Sequence, residues 1–236
     1  MVTKAMNTLP LILLPGTLCD AFVWRAQMDA LAPEREVRVC ELGTRSSMRE
    51  EVASMLTRLP ARFYLAGFSL GGIVAFEVLR QARERVAGVA FIASTARPDP
   101  ADSQTRRRAL LARAQSGDLA GVLHDALLPH YLSPSCASRE ALSTQLVEMA
   151  QRSAQRFANQ TSYASERPDS RPMLPSLDMP VTIVYGKDDQ VIPFDRQAEM
   201  AQAIPHAVSC GIEACGHFVP LEAPHACSHA LKEMMT

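Results

Sequence analysis

The first residues lack an apolar run of membrane length. The stretch from Leu9 to Leu14 is interrupted by Pro10 and stopped by Pro15 and Gly16. It is too short for a transmembrane helix, and neither the basic start nor the small-residue cleavage site of a signal peptide accompanies it. The six cysteines, Cys19, Cys40, Cys136, Cys210, Cys215 and Cys227, form no CxxC pair and no zinc-like cluster. They read as reduced thiols, and a cytoplasmic location is the expectation. An excess of charge of either sign is also missing. A formal net charge of −1 gives no electrostatic reason to expect nucleic acid or an anionic membrane as a partner. There is no internal repeat and no low-complexity tract. The 236 residues, 47% hydrophobic and 21% charged, suffice for one large α/β domain or two small ones.

Apolar runs of strand length recur, bounded by glycine, proline or polar residues. The predicted strands are Leu9 to Leu14, Val37 to Leu42, Phe63 to Gly67, Val86 to Ala93, Val181 to Tyr185 and Val208 to Ile212. Helical patterns lie between them: Trp24, Met28 and Leu31; Val52, Met55, Leu56 and Leu59; Ile73, Phe76 and Leu79; and a closing helix from about His225 to Met234. Strands alternating with helices predict an α/β fold, a mostly parallel sheet of about six strands with helices on both faces.

The alternation breaks from Arg97 to Asp178, where helical patterns and prolines replace buried strands. Leu119, Val122, Leu123, Ala126 and Leu127 form an amphipathic stripe opened by Asp118. Leu142, Leu146, Met149 and Ser153 mark a second helix. The expected division is a core of residues 1–96 and 179–236 with a helical cap of residues 97–178. Such an insertion is either a plain surface element or a lid over the C-terminal edge of the sheet, and an insertion leaving and re-entering at that edge favours the lid.

Phe63-Tyr-Leu-Ala-Gly67-Phe68-Ser69-Leu70-Gly71-Gly72 contains G-x-S-x-G between a predicted strand and a predicted helix. That context makes Ser69 a candidate nucleophile, since a sharp strand-to-helix turn needs glycine two residues to either side. A serine hydroxyl needs a histidine to accept its proton. His217 leaves the last predicted strand in Cys215-Gly216-His217-Phe218, whereas His124, His130, His206, His225 and His229 read as surface or helix-end residues. The imidazole in turn needs an acid, and Asp188 and Asp189 both follow the fifth predicted strand. The one that does not orient the histidine is expected to cap local backbone N–H groups. The order serine, acid, histidine suits this strand–turn–helix serine and neither of the other common serine triads. For the oxyanion of an acyl transfer, the N–H of Leu70 is one donor, and the loop after the first strand offers Thr17, with Leu18 as the alternative.

These segments together resemble the α/β-hydrolase superfamily, in particular its small esterases, enol-lactonases and related acyl hydrolases. The resemblance rests on Leu-Leu-Pro-Gly-Thr near the start, Gly-Phe-Ser-Leu-Gly-Gly, Val-Tyr-Gly-Lys-Asp-Asp-Gln-Val-Ile-Pro and Cys-Gly-His-Phe-Val-Pro-Leu-Glu. It implies Asp189 as the acid, because in the family this residue commonly stands three after the strand-ending glycine and four before a proline. It also implies a sheet shortened at its start. Two features depart from or go beyond the usual pattern: Pro15-Gly16 stands where the family usually has His-Gly, and Arg167 to Arg171 resembles a subset of members without an evident role.

The activity so implied is hydrolysis of a small carboxylic ester or lactone through an acyl-enzyme, with no cofactor and no metal. Leu18, Phe68 and Phe218 are the expected substrate-binding residues, along with Leu70. A thioesterase, a C–C bond hydrolase or an acyltransferase would use the same groups, and a low-turnover small-molecule receptor would retain them. Arg106, Arg107 and Arg108 read either as a solvated helix face or as a device for acidic or phosphorylated substrates.

Overall fold

In the computed structural model, which describes residues 8–236, six strands form one parallel sheet in the order β2-β1-β3-β4-β5-β6. They are β1 (Leu11–Leu14), β2 (Val37–Val39), β3 (Phe63–Phe68), β4 (Val86–Ile92), β5 (Val181–Gly186) and β6 (Val208–Ile212). Alternation along the strands sorts their side chains into two cores. Leu11, Leu13, Ala66, Phe68 and Ile92 face one side, and Ile12, Leu14, Leu65, Phe91 and Ile183 face the other. Along β1, β3, β4 and β5 both faces are buried, which is why those segments are continuous apolar runs rather than an apolar–polar alternation. The edge strands β2 and β6 are partly exposed.

The first core is covered by α1 (Arg25–Leu31), the short α10 (Val219–Glu222) and the closing helix α11 (Pro224–Met234), which pack on one another. The second is covered by α2 (Met48–Leu56) and α3 (Leu70–Ala82). On that side lies also α9 (Phe194–Ala203), a helix the sequence pattern did not announce: its buried residues are Gln197 and Met200 rather than a leucine stripe. Strand ends differ slightly from the expected ones. β2 stops at Val39 because the chain turns inward to bury Leu42. β4 stops at Ile92 because Ala93 takes a left-handed backbone (φ 47°).

The insertion is helical, comprising α4 (Ala101–Gln115), α5 (Leu119–Gly121), a π-helical stretch (Val122–Leu127), α6 (Leu128–Tyr131), α7 (Arg139–Ser153) and α8 (Phe157–Ser165). Asp118 caps it as expected, accepting from Gly121 N. The π stretch was not foreseen. Pro129 follows it, and the missing N–H and bulky ring of a proline obstruct a regular turn back to Asp125.

The expectation that the insertion re-enters at the edge it left is corrected. β4 and β5 are parallel neighbours, so the chain leaves at the C-terminal edge and must return to the opposite one. Arg167 to Arg171 serves that passage. The Arg167 guanidinium bonds the carbonyls of Arg97 and Ala164 and pairs with Asp99, and Ser170 N donates to Ala96 O. Among the described residues, no helix is long and apolar enough to cross a membrane.

Candidate active site

The strand order reverses between β1 and β3, so the chain runs from β1 toward β2 on one side and from β3 toward β4 on the other. In an open parallel sheet, the crevice at such a reversal is where ligands bind. The loop carrying Thr17 leaves β1 there, and Ser69 follows β3 immediately.

Ser69 has φ 53° and ψ −113°, a sparsely populated conformation that costs about 1–3 kcal/mol and persists only where its surroundings enforce it. A Cβ on Gly67 would lie 2.3 Å from Gly71 O, and one on Gly71 would lie 2.1 Å from Leu14 O. Neither position tolerates a side chain, because α3 folds back directly onto the strands. Ser69 N donates to Ile92 O (2.8 Å), and the buried Ser94 hydroxyl donates to Ser69 O (2.8 Å). The turn is therefore held from the adjacent strand.

His217 Nε2 lies 2.9 Å from Ser69 Oγ, and its Nδ1 lies 2.9 Å from Asp189 Oδ2. With the Nδ1 proton directed at the carboxylate, Nε2 is left to accept the serine proton. The imidazole is 3% exposed and packs against Phe68, with ring centroids 5.2 Å apart. His217 N donates to Tyr131 O of the insertion (2.8 Å).

Asp189 has a second task, since its Oδ1 accepts from the N–H groups of Val191 and Ile192 (2.8 and 2.9 Å). The local capping expected of the other aspartate is thus performed by Asp189 itself. Asp188 instead accepts from Ser133 Oγ (2.5 Å) in the insertion. Adjacent residues in the turn point in different directions, and only one reaches the imidazole.

Glu222 carried no role in the sequence reading. Its carboxylate accepts from the N–H groups of Ser133 (2.8 Å), Gly216 (3.1 Å) and Phe218 (3.1 Å), bracketing the histidine and tying its loop to the insertion. Burial pushes this carboxyl above its usual range, and the three donors oppose that shift. The available signal was an acid within about one helical turn of a loop with unpaired N–H groups.

The Leu18 N–H is occupied, donating to Gln160 Oε1 (2.8 Å). Thr17, Leu70 and Ser69 line one cavity of about 300 Å³, and among the described residues neither Thr17 N nor Leu70 N donates to a protein acceptor. Phe68 and Phe218 also line it. Leu18 does not, and this expectation is corrected: its left-handed backbone (φ 56°) and the Gln160 bond direct the side chain into the core, where it is 3% exposed.

The insertion supplies the opposite wall, including Arg106, Arg107, Leu127, His130 and Tyr131. His130 therefore belongs to the cavity and not merely to the surface, and its Nδ1 meets Gln190 Oε1 at 3.1 Å. Among the described residues, no group of three or more His, Cys, Asp or Glu side chains converges as a metal site would require.

Residues 11–230 match the model of a family described as the alpha/beta hydrolase family. The chain is 28% identical to the dihydrolipoyllysine-residue acetyltransferase component of an acetoin cleaving system from Pseudomonas putida, over 91% of this chain and 60% of that protein. It therefore spans about three-fifths of that relative's length. It is 26% identical to the pimeloyl-[acyl-carrier protein] methyl ester esterase of Nitrosomonas europaea, over 91% of this chain and 90% of the other. Its fold matches a malate-bound thermophilic esterase from Thermogutta terrifontis with a TM-score of 0.85 at 25% identity, covering 97% of this chain and 91% of that one.

Proposed function

This chain belongs to the alpha/beta hydrolase family, and we propose that within it the protein is a serine hydrolase cleaving a small carboxylic ester or lactone. The observation that carries this reading is the row of Asp189 Oδ2, His217 and Ser69 Oγ, joined by two contacts of 2.9 Å. Ser69 Oγ attacks the carbonyl carbon while His217 Nε2 takes its proton. The carbonyl oxygen gathers negative charge and receives the N–H groups of Leu70 and Thr17, with the N-terminus of α3 adding favourable potential. Collapse of the tetrahedral species breaks the ester bond, and His217 returns its proton to the leaving alcohol or enol oxygen. Water, deprotonated by the same imidazole, then releases the acid and restores Ser69.

Asp189 orients the imidazole and stabilises its cationic form. Phe68 and Phe218 contact the substrate beside it. The insertion, residues 97–178, acts as a roof that keeps bulk water from the acyl-enzyme. Support for that role comes from its share of the cavity wall and from its ties to the core, among them Tyr163 Oη to Arg45 O (2.5 Å) and Asn159 Nδ2 to Gly43 O (3.0 Å). The ester named for the Nitrosomonas relative points the same way.

A fluorophosphonate probe followed by intact-protein mass spectrometry, paired with hydrolysis of short 4-nitrophenyl esters, tests the proposal. One adduct on the wild type and none on Ser69→Ala is expected, with turnover lower by at least about a thousandfold in the variant. Unchanged turnover in Ser69→Ala refutes the reading.

A further inference from the structure

The cavity is electrostatically one-sided. Among the described residues, Arg106, Arg107 and Arg167 lie in its wall, and no aspartate or glutamate does. Asp99, enclosed behind them, pairs with Arg107 (Nε to Oδ2, 3.0 Å) and with Arg167 (Nη1 to Oδ1, 2.8 Å). Arg167 is committed to the framework by its carbonyl contacts. Arg107 remains about one-third exposed. Arg106 is different in kind. Among the described residues it meets no carboxylate, and its one polar contact is a long one of 3.5 Å from Nη2 to Ala126 O. Three guanidinium groups stand against one carboxylate at this wall, which leaves positive charge uncompensated at the cavity mouth, where the exposed Arg106 can meet an incoming anion. Tyr131, on the same wall, is held in its neutral, proton-donating form by burial.

We propose that the substrate has two functional ends, an ester or lactone carbonyl at Ser69 and a carboxylate seated against Arg106 and Arg107. This deepens, and rests on, the hydrolase reading of Ser69. A guanidinium fork matches the two oxygens of a carboxylate, and the free charge of Arg106 gives such a group a partner that costs no existing ion pair. The position of the arginines favours a small substrate over an acidic carrier protein. Arg106 and Arg107 belong to the cavity wall, Arg106 at its solvent-exposed rim, whereas the third residue of the run, Arg108, lies outside the cavity.

The test compares 4-nitrophenyl hemiesters of linear dicarboxylic acids, over a series of chain lengths, with counterparts in which the free acid is a primary amide. The quantity read is the ratio of kcat/KM for acid over amide. At the best chain length, the wild type is expected to favour the acid by roughly tenfold or more, and Arg106→Gln to lower that ratio by roughly 10- to 100-fold. Arg107→Gln should lower it as well, and Arg108→Gln should leave it in place. A phosphonate-reactive wild type with no preference for the acid at any length overturns this inference alone. So does a ratio that Arg106→Gln leaves unchanged, or one that Arg108→Gln lowers equally, the latter marking diffuse charge or a carrier surface. A wild type that takes no adduct and turns over neither ester overturns the hydrolase reading and this inference with it.

Discussion

Gln160 offers a sharp test of how the insertion supports the chemistry. Its side chain is wholly buried and makes two bonds to the core domain: Oε1 accepts from Leu18 N (2.8 Å) and Nε2 donates to Leu42 O (2.9 Å). Gln160→Met keeps most of the volume and removes both. Leu18 N–H and Leu42 C=O then stay buried, and neither has another partner among the described residues. Leaving a buried polar group unpaired costs about 1–3 kcal/mol, so the two together should cost about 2–6 kcal/mol. For a domain of this size that corresponds to a fall in Tm of roughly 5–20 °C.

Leu18 follows Thr17, so the same substitution frees the loop that presents one of the two proposed oxyanion donors. Such a donor helps mainly in the transition state, so kcat should fall by roughly 10- to 100-fold with little change in KM. Thermal unfolding read by circular dichroism, alongside steady-state hydrolysis at a temperature where the variant stays folded, measures both effects. A Gln160→Met protein with wild-type Tm and wild-type kcat would refute the reasoning. Lost stability with intact kcat would refute only the link from Gln160 to the Thr17 loop.

Two further outcomes follow from the same geometry. Asp189→Asn should lower kcat by about four orders of magnitude, the scale set by removing the orienting carboxylate of a serine triad. Asp188→Asn, which disturbs only the Ser133 contact, should stay within about tenfold, and comparable losses in both variants would contradict the division of labour. Ser69→Gly should be more stable than Ser69→Ala by about 1 kcal/mol, because glycine relieves the φ 53° strain that alanine retains. Chemical denaturation of the two inactive proteins checks this, and the reverse order would show that the turn is not strained.

The order of strands and helices and the strand–serine–helix turn were legible because they answer to local demands. A parallel sheet buried on both faces needs continuous apolar runs, and a tight turn needs glycines at two fixed offsets, whatever the rest of the chain does. Recognition of the family followed from four such short segments. The failures were of the opposite kind. Leu18 looked like a pocket residue by its place in a loop, and nothing local showed that the exposed His130 and Arg106 also line the cavity while Arg108 does not. Such outcomes were decided by residues of other segments, as when Gln160, 142 positions away, takes the N–H of Leu18. The sequence alone determined the scaffold and the turn that presents Ser69, since backbone sterics and burial act over a few residues. Tertiary structure alone decided that Asp188 reaches Ser133, which N–H groups stay unpaired and which arginines face the cavity, because those depend on where side chains from separate segments converge.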